Sequence, residues 1–117
     1  MENNAETENN NEIEQNNEIN NNLTKTNIFQ PSIYYYNTSN DYYHSKKYNK
    51  ALINITIYIK LVPNNQKAYL LKGKIYLNLS QYENSLKAFL RSKHLGENSL
   101  ELLYGLARSY KQLHQYD

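Results

Sequence analysis

Between residues 32 and 114 the apolar positions follow helical spacing, and short polar or turn-forming stretches interrupt them at regular intervals. Breaks at Lys46-Lys47, Pro63-Asn64-Asn65, Ser80-Gln81 and Gly96-Glu97-Asn98-Ser99 predict five helices, over about 32–45, 48–62, 66–79, 82–95 and 100–114. Gly96 suits a helix end because it reaches positive φ without a Cβ clash. Asn98 or Ser99 suits the next N-cap, with Glu101 in the first turn facing the helix dipole. The second helix is contested. Ile53, Ile55, Ile57, Ile59 and Leu61 alternate with Asn54, Thr56, Tyr58 and Lys60, the period-two pattern of a half-buried strand. Against this, Ala51, Ile55, Tyr58, Ile59 and Val62 form one helical stripe. β-branched residues cost only a few tenths of a kcal/mol each in a helix, so packing decides for helix.

The first thirty residues read differently. Met1 to Asn22 holds ten Asn and six Glu, with Ile13 and Ile19 the only large apolar residues after Met1. Such a stretch cannot offset an ordering cost of about 1–2 kcal/mol per residue, and it predicts a disordered tail over 1–30. Ile28 and Phe29 are candidates to dock on the first helix beyond it, and Pro31 disfavours helix just before itself.

The helical part carries a repeat. Tyr42, Tyr76 and Tyr110 recur at one constant interval, and Tyr48, Tyr82 and Tyr116 keep the same interval within Lys47-Tyr48-Asn49, Gln81-Tyr82-Glu83 and Gln115-Tyr116-Asp117. A period of 34 predicts stacked helical hairpins. Small residues Ser39, Gly73 and Ala107 precede the three tyrosines at one spacing. The small residues let the second helix of a hairpin approach the first, and the tyrosines fill the space a turn later.

On these residues the chain resembles the tetratricopeptide (TPR) family. The middle unit, 66–99, carries Tyr69 at the signature Trp position, Gly73, Tyr76, Ser85 and Ser92 for the usual alanines, and Phe89 at a large apolar position. Lys72 replaces the signature Leu, and Glu97 the closing Pro. The first unit, 32–65, supplies Tyr35, Ser39, Tyr42, Ala51, Ile55 and Pro63, with Thr38 at the Leu position. The partial third, 100–117, supplies Leu103, Leu106, Ala107 and Tyr110. The resemblance implies an all-α fold for 31–117: two and a half units of antiparallel helix-turn-helix, stacked as a short right-handed superhelix. It also implies a single last helix without its partner. The array is expected either to continue beyond Asp117 or to cover the flank of Leu102, Leu103, Leu106 and Leu113 with another chain.

Charge divides along the chain. Residues 1–30 hold six Glu against Lys25, a net −5, while 31–117 hold twelve Lys and Arg against five acids, a net +7. A basic folded part with an acidic tail suits acidic partners, or a tail that competes for the same surface. The absence of Cys removes disulfides and thiolate metal sites. No apolar run approaches a membrane span of about 20 residues, and the polar start has no apolar leader core. These features predict a soluble protein of cytosol or nucleus. The four Asn-x-Ser/Thr sequons, at Asn22, Asn37, Asn54 and Asn78, are expected from the abundance of Asn alone.

Candidate chemistry is sparse. His44, His94 and His114 fall on three different helices with no recurring carboxylate. Phosphate-loop, dinucleotide and zinc-protease motifs are missing, and no Cys nucleophile exists. The chain is therefore read as a non-enzyme with no cofactor and no metal. The thirteen tyrosines suit recognition instead. The resemblance implies that the first helix of each unit lines a concave groove, and the residues placed there are Tyr36, Asn40 and Tyr43, then Leu70, Lys74 and Leu77, then Tyr104, Arg108 and Lys111. Aromatic and aliphatic surface with three cations suits an extended or helical peptide bearing acidic groups. The expected function is a protein-protein interaction scaffold, part of a larger protein or assembly. The alternatives are a single-stranded nucleic-acid module using the basic, Tyr-rich face, or the regulatory domain of an enzyme encoded beyond Asp117. The carboxylate clamp of co-chaperone members is not reproduced: Asn40 is kept, but Tyr36, Leu71, Glu101 and Gly105 stand where its other Lys, Asn and Arg residues belong.

Overall fold

Five helices follow one another with short turns: α1 (Ser32–His44), α2 (Tyr48–Leu61), α3 (Gln66–Asn78), α4 (Tyr82–His94) and α5 (Leu100–Leu113). The structure, a computed structural model, describes residues 30–114. The expected disorder of the tail and the docking of Ile28 and Phe29 lie outside the described residues, as does Gln115-Tyr116-Asp117. Among the described residues the fold is all-α, with no strand. Each helix begins where the sequence breaks place it and ends one residue sooner.

Why the turns fall there is visible in the backbone. Lys46 and Ser80, one repeat apart, both take left-handed φ, +62° and +61°, and Gly96 takes +110°. In each case the following N–H reaches back five positions: Lys47 to the Tyr42 carbonyl at 2.8 Å, Gln81 to Tyr76 at 2.9 Å, Glu97 to Ser92 at 3.0 Å. The residue before it reaches back three, so two orphan carbonyls are satisfied at each helix end. α3 and α5 then start on side-chain caps. Asn65 accepts from the N–H groups of Lys67 and Ala68, and Ser99 from that of Leu102.

Consecutive helices pack in pairs, with α3 against both α1 and α5 as well. α2 meets α1 on one side and α3 on the other, and that resolves its ambiguous sequence. A helix covered on two sides buries Ala51, Ile55, Ile57 and Tyr58 and leaves Ile53 and Ile59 half-buried, so its isoleucines need not keep to one stripe. Tertiary contact overrides the strand propensity.

Between α3, α4 and α5 lies the core of Leu70, Phe89, Leu102 and Leu106. Phe89 is fully buried. Its ring stands where a Cβ on Gly73 would lie 2.6 Å away and a Cβ on Gly105 closer still, so glycine is required on both helices. Buried serines line these seams and the one between α1 and α2, and each finds a partner. Ser39 Oγ donates to the Ala51 carbonyl (2.7 Å) and Ser92 Oγ to that of Gln66 (2.9 Å), while the Ser85 and Ser109 hydroxyls share a bond of 2.8 Å.

The last helix corrects one expectation. Gly105 and Ser109, not Ala107, are its buried small residues; Ala107 is exposed, and Tyr110 keeps 44% of its surface in solvent. Of the flank expected to need a cover, Leu102 and Leu106 are already buried against α4, Leu113 is half-buried, and only Leu103 stands exposed. The face of α5 that meets α4 is therefore distinct from the face in phase with Tyr69, Gly73 and Tyr76.

Lys46→Gly and Ser80→Gly should each stabilise the fold by about 0.5–1 kcal/mol, because relief of a left-handed Cβ outweighs the extra chain entropy of glycine. Thermal unfolding followed by circular dichroism would show it as a rise in Tm; an unchanged or lower Tm would contradict the cap assignment.

Candidate functional site

The nine residues assigned to a groove sit on α1, α3 and α5, the three helices that touch one another across the hairpins. They do not contribute equally. Leu70 is 4% exposed and belongs to the core with Phe89, Leu102 and Leu106, so it offers no surface to a partner. Here the structure departs from the expectation: position 70 faces α5 rather than solvent. Leu77 is half-buried and packs against the same core, exposing only part of its side chain.

The aromatic members are held by their neighbours. Tyr36 is half-buried with its ring edge-on to Tyr58, centroids 5.3 Å apart, and burial pushes its phenol pKa up. Tyr43 is half-buried, meets Tyr48 edge-on at 5.7 Å, and its hydroxyl accepts from Asn78 Nδ2 at 3.4 Å. Tyr104 is 62% exposed, with the Arg108 guanidinium 5.6 Å from its ring centroid and Nη1 donating to its hydroxyl at 3.3 Å. Such contacts fix ring orientation while leaving ring surface free. Asn40 is half-buried on α1 between Tyr36 and Tyr43 in sequence.

The cations divide into one paired with a carboxylate and two that are not. The Lys74 ammonium lies 5.1 Å from the Tyr43 ring centroid and 3.0 Å from Glu101 Oε2, so one side chain ties α1, α3 and α5 together. Its charge is engaged within the face. Arg108 and Lys111 are exposed and lack a carboxylate within salt-bridge distance among the described residues. Glu101 stands outside the sequence-derived set. The repeat phase sets Glu101 level with Lys67 and Lys74 level with Arg108, so this slanted pair depends on how adjacent helices are offset, which a repeat length does not encode.

Glu97 is the second residue whose role the sequence does not show, because it reads as part of a loop. Its side chain is 3% exposed and accepts from Lys67 Nζ at 3.0 Å. Hydrogen bonds from Ser99, above all, then from Lys67 and Gln66 hold its carboxyl below the usual glutamate range, against the opposing effect of burial. The same contact raises the Lys67 pKa. Glu97 thus fastens the start of α3 to the start of α5. Lys72, at the position of the missing signature Leu, is half-buried, and burial alone lowers its pKa. Its ammonium lies 5.9 Å from the Tyr76 ring centroid.

Two shallow depressions lie elsewhere, one of about 410 Å³ lined by Gln81, Tyr82, Glu83, Asn84 and Leu113, the other of about 330 Å³ lined by Lys46, Lys47, Tyr48, Asn49, Lys50 and Leu79. Apart from Lys46, the second lining is the first shifted by one repeat length. They recur with the fold, and their chemistry differs, acidic and neutral in one and basic in the other. That is the mark of packing geometry rather than of a built ligand site. Among the described residues no group of His, Asp and Glu is placed to hold a metal ion, and no helix is long and apolar enough to cross a membrane. No protein-family model matches the chain, and no curated protein matches it.

The depressed Glu97 pKa fixes a sign. Its contribution is fully present above the ordinary glutamate value near 4.5 and is lost as pH falls through that value toward the lower folded one. Glu97→Gln should therefore lose about 1–2 kcal/mol at pH 7 and much less at pH 3.5, read by urea unfolding at both pH values. An equal loss at both would contradict a charged clamp.

Proposed function

We propose that this chain is a tetratricopeptide-type repeat segment acting as a protein-protein interaction scaffold, with α1, α3 and α5 on the inner curve of a short right-handed superhelix. The reading is supported by turns and small residues that recur at the repeat length. The observation that carries it is the shared face of α1, α3 and α5, where ordered tyrosine rings adjoin two cations, Arg108 and Lys111, that have no carboxylate partner among the described residues. Tyr36, Asn40, Tyr43 and Leu77 supply partly covered apolar and polar surface, Tyr104 supplies an open ring, and Arg108 and Lys111 supply charge. Lys74 contributes by ordering the face rather than by meeting the ligand. A partner peptide consequently sets apolar side chains along α1 and α3 and an acidic group at the α5 end.

This distribution also weighs against a nucleic-acid strand on the α1/α3/α5 face. Phosphate binding follows the number of cations released to it. On this face the two cations without a carboxylate partner among the described residues, Arg108 and Lys111, give a log-log salt slope of only about −1.4 for a single strand.

A random twelve-residue phage-displayed library selected on the full chain should enrich peptides that combine Asp or Glu with Leu or aromatic residues. Affinity for the enriched peptide, measured by calorimetry, should fall about tenfold or more in the Arg108→Glu/Lys111→Glu variant, with helicity unchanged because both side chains are exposed. Unchanged affinity in that variant, or tighter binding to oligothymidylate with a steep salt slope, would overturn the proposal.

A further inference from the structure

Tyr104, Arg108 and Lys111 follow one another along α5 at intervals of four and three positions, so Arg108 stands between two neighbours, each about 5–6 Å away at Cβ. All three are exposed, Tyr104 at 62%. Neither cation has a carboxylate within salt-bridge distance among the described residues. Glu101, the one acid of α5, is held instead by Lys74 on α3 at 3.0 Å. Toward the start of the helix the charges on this face neutralise one another, and toward its end two positive charges add.

The contact between Arg108 and Tyr104 sets what the end of α5 can offer an anion. Arg108 Nη1 donates to the Tyr104 hydroxyl oxygen at 3.3 Å, and its guanidinium lies 5.6 Å from the ring centroid. The hydroxyl, used there as an acceptor, keeps its own proton to give. The guanidinium, steered by the ring, keeps further N–H donors in a rigid planar fork, and Lys111 adds an ammonium on a flexible stem. A carboxylate brings one charge and two oxygens, which leaves one of the cations uncompensated. A phosphomonoester brings a charge of about −1.5 to −2 at pH 7 and three strong acceptor oxygens, one for each side chain. A nucleic-acid strand would bring such groups in series, but the next cation of this face, Lys74, is already paired with Glu101. One isolated phosphate fits where a row does not.

Within the peptide groove of the proposed function, on which this reading depends, we infer that the acidic group at the α5 end is the phosphate of a phosphoserine or phosphothreonine, bound by the Tyr104 hydroxyl, the Arg108 guanidinium and the Lys111 ammonium. The groove then distinguishes two forms of its partner. Without the phosphate the apolar contacts along α1 and α3 remain and the anchor is lost. Arg108 is the discriminating residue, since its fork spans two phosphate oxygens and an ammonium does not.

The site is tested with two small probes, N-acetyl-phosphoserine methylamide and N-acetyl-glutamate methylamide, titrated at matched ionic strength into the ¹⁵N-labelled full chain. The largest amide shifts are expected at Tyr104, Arg108 and Lys111, with the phosphoserine probe binding about tenfold more tightly than the glutamate one. Arg108→Lys keeps the charge but removes the fork and should abolish most of that preference, while Tyr104→Phe should weaken phosphoserine binding about threefold. Both side chains are exposed, so helicity is unchanged in either variant. Equal binding of the two probes, an undiminished preference in Arg108→Lys, or shifts of the same size at the exposed Lys87 and Lys93 of α4 would each overturn the inference. The enriched acidic peptide, with its acidic residue replaced by phosphoserine, separates this site from the groove. A peptide that binds no more tightly once phosphorylated leaves the groove and overturns the phosphate site. Probes that bind as expected beside peptides that do not bind at all leave the phosphate site and overturn the groove.

Discussion

The ring of Phe89, held between Gly73 on α3 and Gly105 on α5, sets the distance between three helices at once. A phenyl ring is the largest fully buried side chain of the fold, and it occupies space that two missing Cβ atoms leave open. Around it Leu70, Leu102 and Leu106 close the core, and the serine hydroxyls of the adjoining seams bond across or back to carbonyls rather than remaining unpaired. Small residues and one large ring let helix backbones come close; the hydrogen bonds prevent that closeness from stranding polar groups.

From this packing follows the arrangement of the outer faces. Because α4 covers one side of α3 and one side of α5, those two helices turn a shared third side outward, where α3 also meets α1. Lys74 spans that side between the Tyr43 ring and Glu101, and Glu97 closes the joint at the other end of α3 with Lys67. The face is ordered by its own charges, and what it has left for a ligand is rings along α1, an open ring at Tyr104, and two cations near the end of α5. The same geometry leaves the stripe through Leu103 and Ala107 bare, since the helix that phase would place there has no counterpart among the described residues.

Most of the helix plan was legible in the sequence because its determinants are local. Gly96 marks a stop, Ser99 caps a start, and the turns at Lys46 and Ser80 recur at the repeat length. Even the contested second helix followed from phase, which reports packing partners, against propensity, which reports only the residue itself. What escaped was set by neighbours on other helices or by helix rotation. Gly105 reads as an ordinary glycine until Phe89 is seen against it. Leu70 reads as a groove residue until α5 covers it, and Glu97 as a loop carboxylate until Gln66, Lys67 and Ser99 converge on it. The pairing of Lys74 with Glu101 depends on the offset between helices, and a repeat length is silent about offset.

The claim on which the rest depends is that one aromatic ring requires glycine on both flanking helices. The most direct measurement is the unfolding free energy of Gly73→Ala and Gly105→Ala, each alone and each combined with Phe89→Leu. Crowding against the ring predicts that each alanine costs about 1–3 kcal/mol despite its better helix propensity, and that the cost largely disappears beside the smaller leucine. If either alanine instead stabilises the chain by about 1 kcal/mol, as propensity alone would give, the ring does not govern the spacing and the account is wrong.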